Sequence, residues 1–173
     1  MEQNLPLHNT CETAPLRRVL LHRPGRELEN LMPEYLERLL FDDIPYLKLA
    51  QEEHDQFADT LRRCGAEVVY LTDLTAEAVA DEGVRRAFIE DFLREAEVTA
   101  PRLHDLLREY FLALPPKALV EQMEAGVRKS EVQQLEKARL SDMTAFGAED
   151  YPFLVDPMPN LYFTRDPFAV VGG

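Results

Sequence analysis

Apolar positions along the chain come in two textures, one strand-like and one helical. Val19-Leu20-Leu21 is a short apolar run ahead of Pro24-Gly25, which predicts a buried strand followed by a loop. Pro33, followed by Leu36, Leu39 and Leu40 at helical spacing, predicts a short helix or turn. From Ile44 to Gly65 the pattern is that of one amphipathic helix. Leu47, Ala50, His54, Phe57, Ala58 and Leu61 recur at three- and four-residue steps, and Gly65 stands where a C-terminal cap belongs. The stretch AEVVYLTDL then predicts a second strand. Strand, helix and strand within about 55 residues make a βαβ-like unit, with the relative strand direction left open.

After Leu74 the texture turns helical and charged. Val84, Phe88, Phe92 and Leu93 share one helical face. Leu103, Leu106, Leu107, Tyr110 and Phe111 share another, on a segment that starts at Pro101. A further helix follows Pro115-Pro116, and Gly126 breaks it. Short helices of this kind pack into a small bundle with solvated charged faces. From Tyr151, Pro152, Pro157 and Pro159 punctuate a loop. Two β-prone runs, Leu161 to Thr164 and Phe168 to Val171, then flank Arg165-Asp166-Pro167. The expected layout is α/β over 1–74, an inserted helical bundle over 75–150 and a return to the α/β layer over 151–173.

Composition narrows the function classes. The chain has 173 residues, 46% hydrophobic and 29% charged, within the range of folded domains. A net charge of −13 repels phosphate backbones, which sets nucleic acid aside as a partner and leaves small molecules or proteins. Two cysteines, Cys11 and Cys64, make neither a disulfide scaffold nor a zinc site; Cys64, beside Gly65, reads as a small buried residue. No apolar run approaches the ~18 residues of a membrane span, and the first residues lack a signal-peptide core, so a reducing cytoplasm is the expected compartment. There is no glycine-rich phosphate loop, HExxH or GxSxG.

Few side chains stand out as chemistry. Asp166 lies between Arg165 and Pro167 at the rim of a predicted strand, where a turn can aim a carboxylate into a cleft; spacing alone favours an ordinary turn-capping aspartate. Asp42 and Asp43 can bind a cation or cap the helix that begins near Pro45, and capping is the plainer role. His54 falls on the apolar side of a helix and reads as a packed and satisfied core histidine rather than a base. Of the four histidines, only His22, at a strand end before Arg23-Pro24-Gly25, is in a site-like place.

Three stretches, LRRVLLHRPGRELENL, LLFDDIPYLKLAQEEHDQFADTLRRCGAEVVYL and MPNLYFTRDPF, together resemble the N-terminal part of bacterial arginine deiminases, in the same order and at matching separations. The resemblance implies a five-bladed α/β-propeller of ββαβ blades, with a helical bundle inserted in the first. It implies hydrolysis of L-arginine to L-citrulline and ammonia without metal or organic cofactor. In that family a cysteine attacks the guanidinium carbon, a histidine is the acid/base, and two carboxylates hold the guanidinium nitrogens.

By motif position, Asp166 matches the first of those carboxylates, Asn160 and Phe163 are substrate-site neighbours, and Leu40 is part of the site wall. A carboxylate suits a planar, permanently charged guanidinium because it can meet two N–H groups as a fork. Neither Cys11 nor Cys64 matches the nucleophile's motif, so the expectation is an N-terminal fragment, inactive alone, of a protein that forms homo-oligomers. Two other readings remain: a relative acting on agmatine or a methylated arginine, and a non-catalytic binding or interaction module.

Overall fold

The computed structural model describes residue 11, residues 13–135 and residues 151–166. Strand β1 (Arg18–Leu21) pairs in parallel with β2 (Glu67–Tyr70), in the register Arg18 to Glu67 through Leu21 to Tyr70. At the start of the pair, Arg18 Nε donates to Glu67 Oε2 at 2.7 Å. The direction that periodicity left open is therefore parallel, and the crossover between the strands contains α1 (Arg26–Glu29), two 3-10 turns (Pro33–Tyr35 and Glu37–Leu39) and α2 (Leu47–Arg63).

Helix α2 buries His54 and Ala58 and half-buries Leu47, Ala50 and Leu61, the stripe its spacing predicts. Phe57 departs from that expectation. It is 53% exposed, because it is one step of about 100° round the helix from Ala58. The helix ends in a Schellman turn: Gly65 N donates to Arg62 O and Ala66 N to Leu61 O, at 3.0 and 3.1 Å, with Gly65 at φ +89°. Cys64 is the last residue before this bend and is exposed, contrary to the sequence expectation, because the reversal carries it away from the sheet.

The predicted second strand is shorter than its apolar run. The chain passes from Tyr70 directly into α3 (Leu71–Ala78). Helices α4 (Glu82–Glu95), α5 (Pro101–Leu112) and α6 (Pro116–Ala125) follow. Asp81 caps α4 by accepting from Val84 N at 3.0 Å, and Pro101 and Pro116 open the next two helices, where a missing N–H costs nothing. After Gly126 come β3 (Val127–Arg128) and α7 (Lys129–Leu135). Strand β4 (Phe153–Val155), in what the prolines mark as loop, pairs antiparallel with β3.

One core holds these elements together. Ile89, Leu93, Leu107, Phe111, Leu119, Met123 and Val127 are its centre, and Val155 of β4 joins them. Phe92 packs edge-on against Phe111, with ring centroids 5.6 Å apart. Val84 and Phe88, expected on the buried face of α4, are 47% and 37% exposed; Ile89 and Leu93 take that face.

The run Leu161–Thr164 is not a strand. Residues Pro159–Tyr162 form a 3-10 turn opened by Pro159, and polar anchors to distant carbonyls hold the chain in that curl. The run Phe168–Val171 and the end of the expected helical insertion, 136–150, lie outside the described residues. Among the described residues no helix is long and apolar enough to cross a membrane.

Candidate active-site turn

The sequence singles out Leu40, Asn160, Phe163 and Asp166, and the fold sets the two segments that carry them side by side. The second of the early 3-10 turns ends at Leu40, which has left-handed backbone (φ +61°) and a side chain 82% exposed. Phe41 N donates back to Leu36 O at 3.0 Å and closes the bend. From the far end of the chain, the Asn160 amide donates to Leu39 O, also at 3.0 Å. Phe163 lies across from Phe41 with ring centroids 6.5 Å apart. Thr164 Oγ1 donates to Leu20 O at 3.0 Å, which ties the turn to β1. Asp166 N donates to Phe163 O at 3.2 Å, and Asp166 itself is exposed.

A second set of contacts locks the frame. Arg38 Nη2 is 2.6 Å from Asp156 Oδ2, its guanidinium lies over the Tyr151 ring, and the Tyr151 hydroxyl donates to Asp156 Oδ1. Burial, with Asp156 beside it, pushes the Tyr151 phenol well above its ordinary range, so it stays a donor. Tyr35 packs edge-on against Tyr151. On the other side, Tyr162 rests near the buried His54 ring, with centroids 6.3 Å apart. Burial lowers the His54 pKa, so the imidazole is neutral at pH 7. His54 is thus packed as its spacing suggests, but not satisfied as expected: its Nδ1 is buried and has no hydrogen-bond partner among the described residues.

The Asn160–Asp166 turn thus carries an exposed carboxylate and an exposed aromatic ring, and the bend it is tied to carries the exposed Leu40 side chain.

A family model for arginine deiminase matches residues 37–173, a span that contains both segments of the turn. The chain is 48% identical to an arginine deiminase of Streptococcus uberis over 175 residues, covering 99% of this chain and 42% of that protein. It is 49% identical to one from Bacillus cytotoxicus over 167 residues (96% of this chain, 40% of that protein) and to one from Streptococcus pyogenes over 173 residues (99% and 42%). The chain belongs to the arginine deiminase family. It spans about two fifths of the length of these relatives.

Asp43 Oδ1 accepts from Ile44 N at 2.8 Å, a local turn contact. The expected helix cap is absent, because α2 begins only at Leu47 and its N-cap, Tyr46, makes no side-chain cap bond. Cys11 and Cys64 are both exposed. Among the described residues no three His, Cys, Asp or Glu side chains are grouped so as to hold a metal. His22 is 2% exposed, and its Nε2 is 2.9 Å from Glu27 Oε1.

Sequence reasoning missed the groups around these residues. Arg38, Tyr151 and Asp156 meet across more than 110 positions, which no local pattern reveals. Glu27 and Glu124 are buried carboxylates; Glu124 at least stands between Met123 and Ala125, whereas nothing in RELEN marks Glu27 as buried.

Proposed function

We propose that the described turn is the arginine-holding part of an arginine deiminase, the whole protein converting L-arginine and water into L-citrulline and ammonia. The observation that carries the reading is the joining of Asn160 to Leu39 O within the family-matched span, which places the Asn160–Asp166 turn against the Leu40 bend. Asp166 accepts two N–H groups of the substrate guanidinium, Phe163 lies beside its plane, Asn160 fixes the turn, and Leu40 walls the alkyl shaft. Held this way, the guanidinium carbon is oriented for attack and its charge is offset.

The same reading assigns the covalent step to a cysteine, proton transfer to a histidine and the second clamp to another carboxylate, as the family resemblance implies; no cofactor takes part. Neither Cys11 nor Cys64 fits that nucleophile, so these 173 residues hold arginine without turning it over. The proposal also includes the first blade of a five-bladed propeller with the helices of 75–150 inserted in it, a homo-oligomeric whole protein and a cytoplasmic setting. The large apolar side chains left exposed on the α/β layer support further packing there.

Calorimetric titration of this chain with L-arginine, beside Asp166→Ala, tests the clamp. The expected result is saturable binding that weakens at least about tenfold in the variant, the scale of a lost charge-assisted pair, with no citrulline formed. Equal binding by both proteins would remove Asp166 from the site, and citrulline release would overturn the assignment of the nucleophile.

A further inference from the structure

A second polar site lies away from the Asp166 turn, in the seam between the βαβ unit and the helical bundle. A cleft of about 520 Å³ opens there between the β1–α1 turn, α2, the β2–α3 junction and α6. Its volume is in the range of small-molecule pockets. The basic side chains around it are already engaged. Arg23 makes a fork with Asp55 at 2.8 Å for each bond, Lys117 Nζ holds Asp73 at 2.8 Å, and Arg26 reaches Gln122 and Glu131.

Glu124 in the wall is different. Its side chain is only 9% exposed, and its sole hydrogen bond among those described comes from Thr72 Oγ1, at 2.8 Å. Among the described residues, only His22 is within ion-pair reach of it, with Nδ1 3.9 Å from Glu124 Oε1. His22 supplies an independent observation. Its ring is almost wholly buried and its Nε2 is committed to Glu27, which also accepts from Gly25 N. Its buried Nδ1 has no hydrogen-bond partner among the described residues and lies behind the wall of the cleft, 3.9 Å from Glu124 Oε1.

A buried carboxylate without a committed cation is costly unless it is protonated or a cation arrives. We propose that this seam cleft binds a compact organic cation with N–H donors, an ammonium or guanidinium group, on the open side of the Glu124 carboxylate, and that binding expels the proton Glu124 otherwise holds. The ligand then bridges the α/β layer and the bundle, with exposed Glu121 on the rim as a second acceptor.

The charges that face Glu124 decide how firmly that proton is held. His22 at the end of β1 favours the carboxylate; Glu27 of α1 and Glu121 of α6 disfavour it. Lys117 is drawn to Asp73 of α3 and feels Glu124 only at longer range, and Arg23 across the cleft is held by Asp55. Burial dominates and raises the Glu124 pKa to about 7. Ligand binding below that pH therefore releases a proton to solvent, and binding well above it does not.

The test uses methylguanidinium as the probe and the 173-residue chain carrying Asp166→Ala, so that failure of the clamp reading does not obscure it. Calorimetry in two buffers of different ionisation enthalpy gives the proton count. The expected result is saturable binding with close to one proton released at about pH 6 and almost none at about pH 8.5, weakened about tenfold or more by Glu124→Gln. Should Glu124→Gln fail to fold, Glu121→Gln replaces it, with a several-fold loss expected. No saturable binding, binding unchanged by the carboxylate substitution, or binding without proton release at the lower pH would each overturn the proposal.

Discussion

The bundle and the βαβ unit have similar shares of apolar residues and use them differently. In the bundle, Ile89, Leu93, Leu107, Phe111 and Leu119 are wholly buried, and β4 adds Val155 to the same core. In the βαβ unit and its site turn, Leu40, Tyr46, Leu49, Phe57, Tyr162 and Phe163 are all left substantially exposed. A bundle whose apolar faces meet each other is stable without outside contacts. A two-stranded sheet under one long helix has too few facing surfaces to do the same. The exposed apolar side chains nearest Asp166, Tyr162 and Phe163, are therefore left only partly covered by the described residues.

Paired truncations can break this comparison with the largest effect. Phe111→Ala removes a fully buried ring from the bundle core and is expected to cost about 3–5 kcal/mol. Phe57→Ala, at a site 53% exposed, is expected to cost less than about 1 kcal/mol. Urea unfolding followed by circular dichroism measures both. Comparable losses would mean that the α2 face is covered in solution and that the contrast between the regions is false.

The seam between the regions carries the next effect, and its sign depends on pH. Glu124 titrates near 4.5 when unfolded and near 7 when folded, chiefly because it is buried. The folded state keeps the proton longer, so stability is full below pH 4.5, falls as pH rises to about 7 and stays lower above that. A shift of this size corresponds to as much as about 3 kcal/mol. Glu124→Gln keeps an acceptor for Thr72 Oγ1 and cannot ionise. The variant is expected to gain up to about that much over the parent at pH 8, and little at pH 4, in urea midpoints taken at both. A constant difference across pH would show that the carboxylate is solvated and the seam open.

What could be read from the sequence follows the range of the interactions. The buried stripe of α2 repeats locally and ends at Gly65, so the helix and its cap were legible. Strand β3 has two residues and β4 three, too short for any period to show. Leu161 to Thr164 misled because β-prone side chains say nothing about Asn160 and Thr164 reaching back to Leu39 and Leu20. The site residues came from motif likeness, since an aspartate before a proline is ordinary on spacing alone. The Arg38–Asp156 pair and the Glu124–His22 approach join residues about a hundred positions apart, which only the folded chain brings together.

The smallest effect gives the sharpest view of how far the two regions act as one. Glu97 ends α4 in the same Schellman pattern that Gly65 gives α2: Glu97 N donates to Arg94 O and Val98 N to Leu93 O. Its φ of +55° is left-handed, which a side chain with a Cβ adopts at a cost of about 1–2 kcal/mol. Glu97→Gly removes that strain but loosens the unfolded chain, so the net gain is expected to be roughly 0.5–1 kcal/mol. Hydrogen exchange reads where the gain goes. If the bundle opens as its own unit, amides of α4 and α5 slow by roughly two- to fivefold while those of β1 and β2 do not change. If both sets slow together, the seam couples the two regions into one cooperative unit, and a ligand in the cleft beside Glu124 would stabilise both at once.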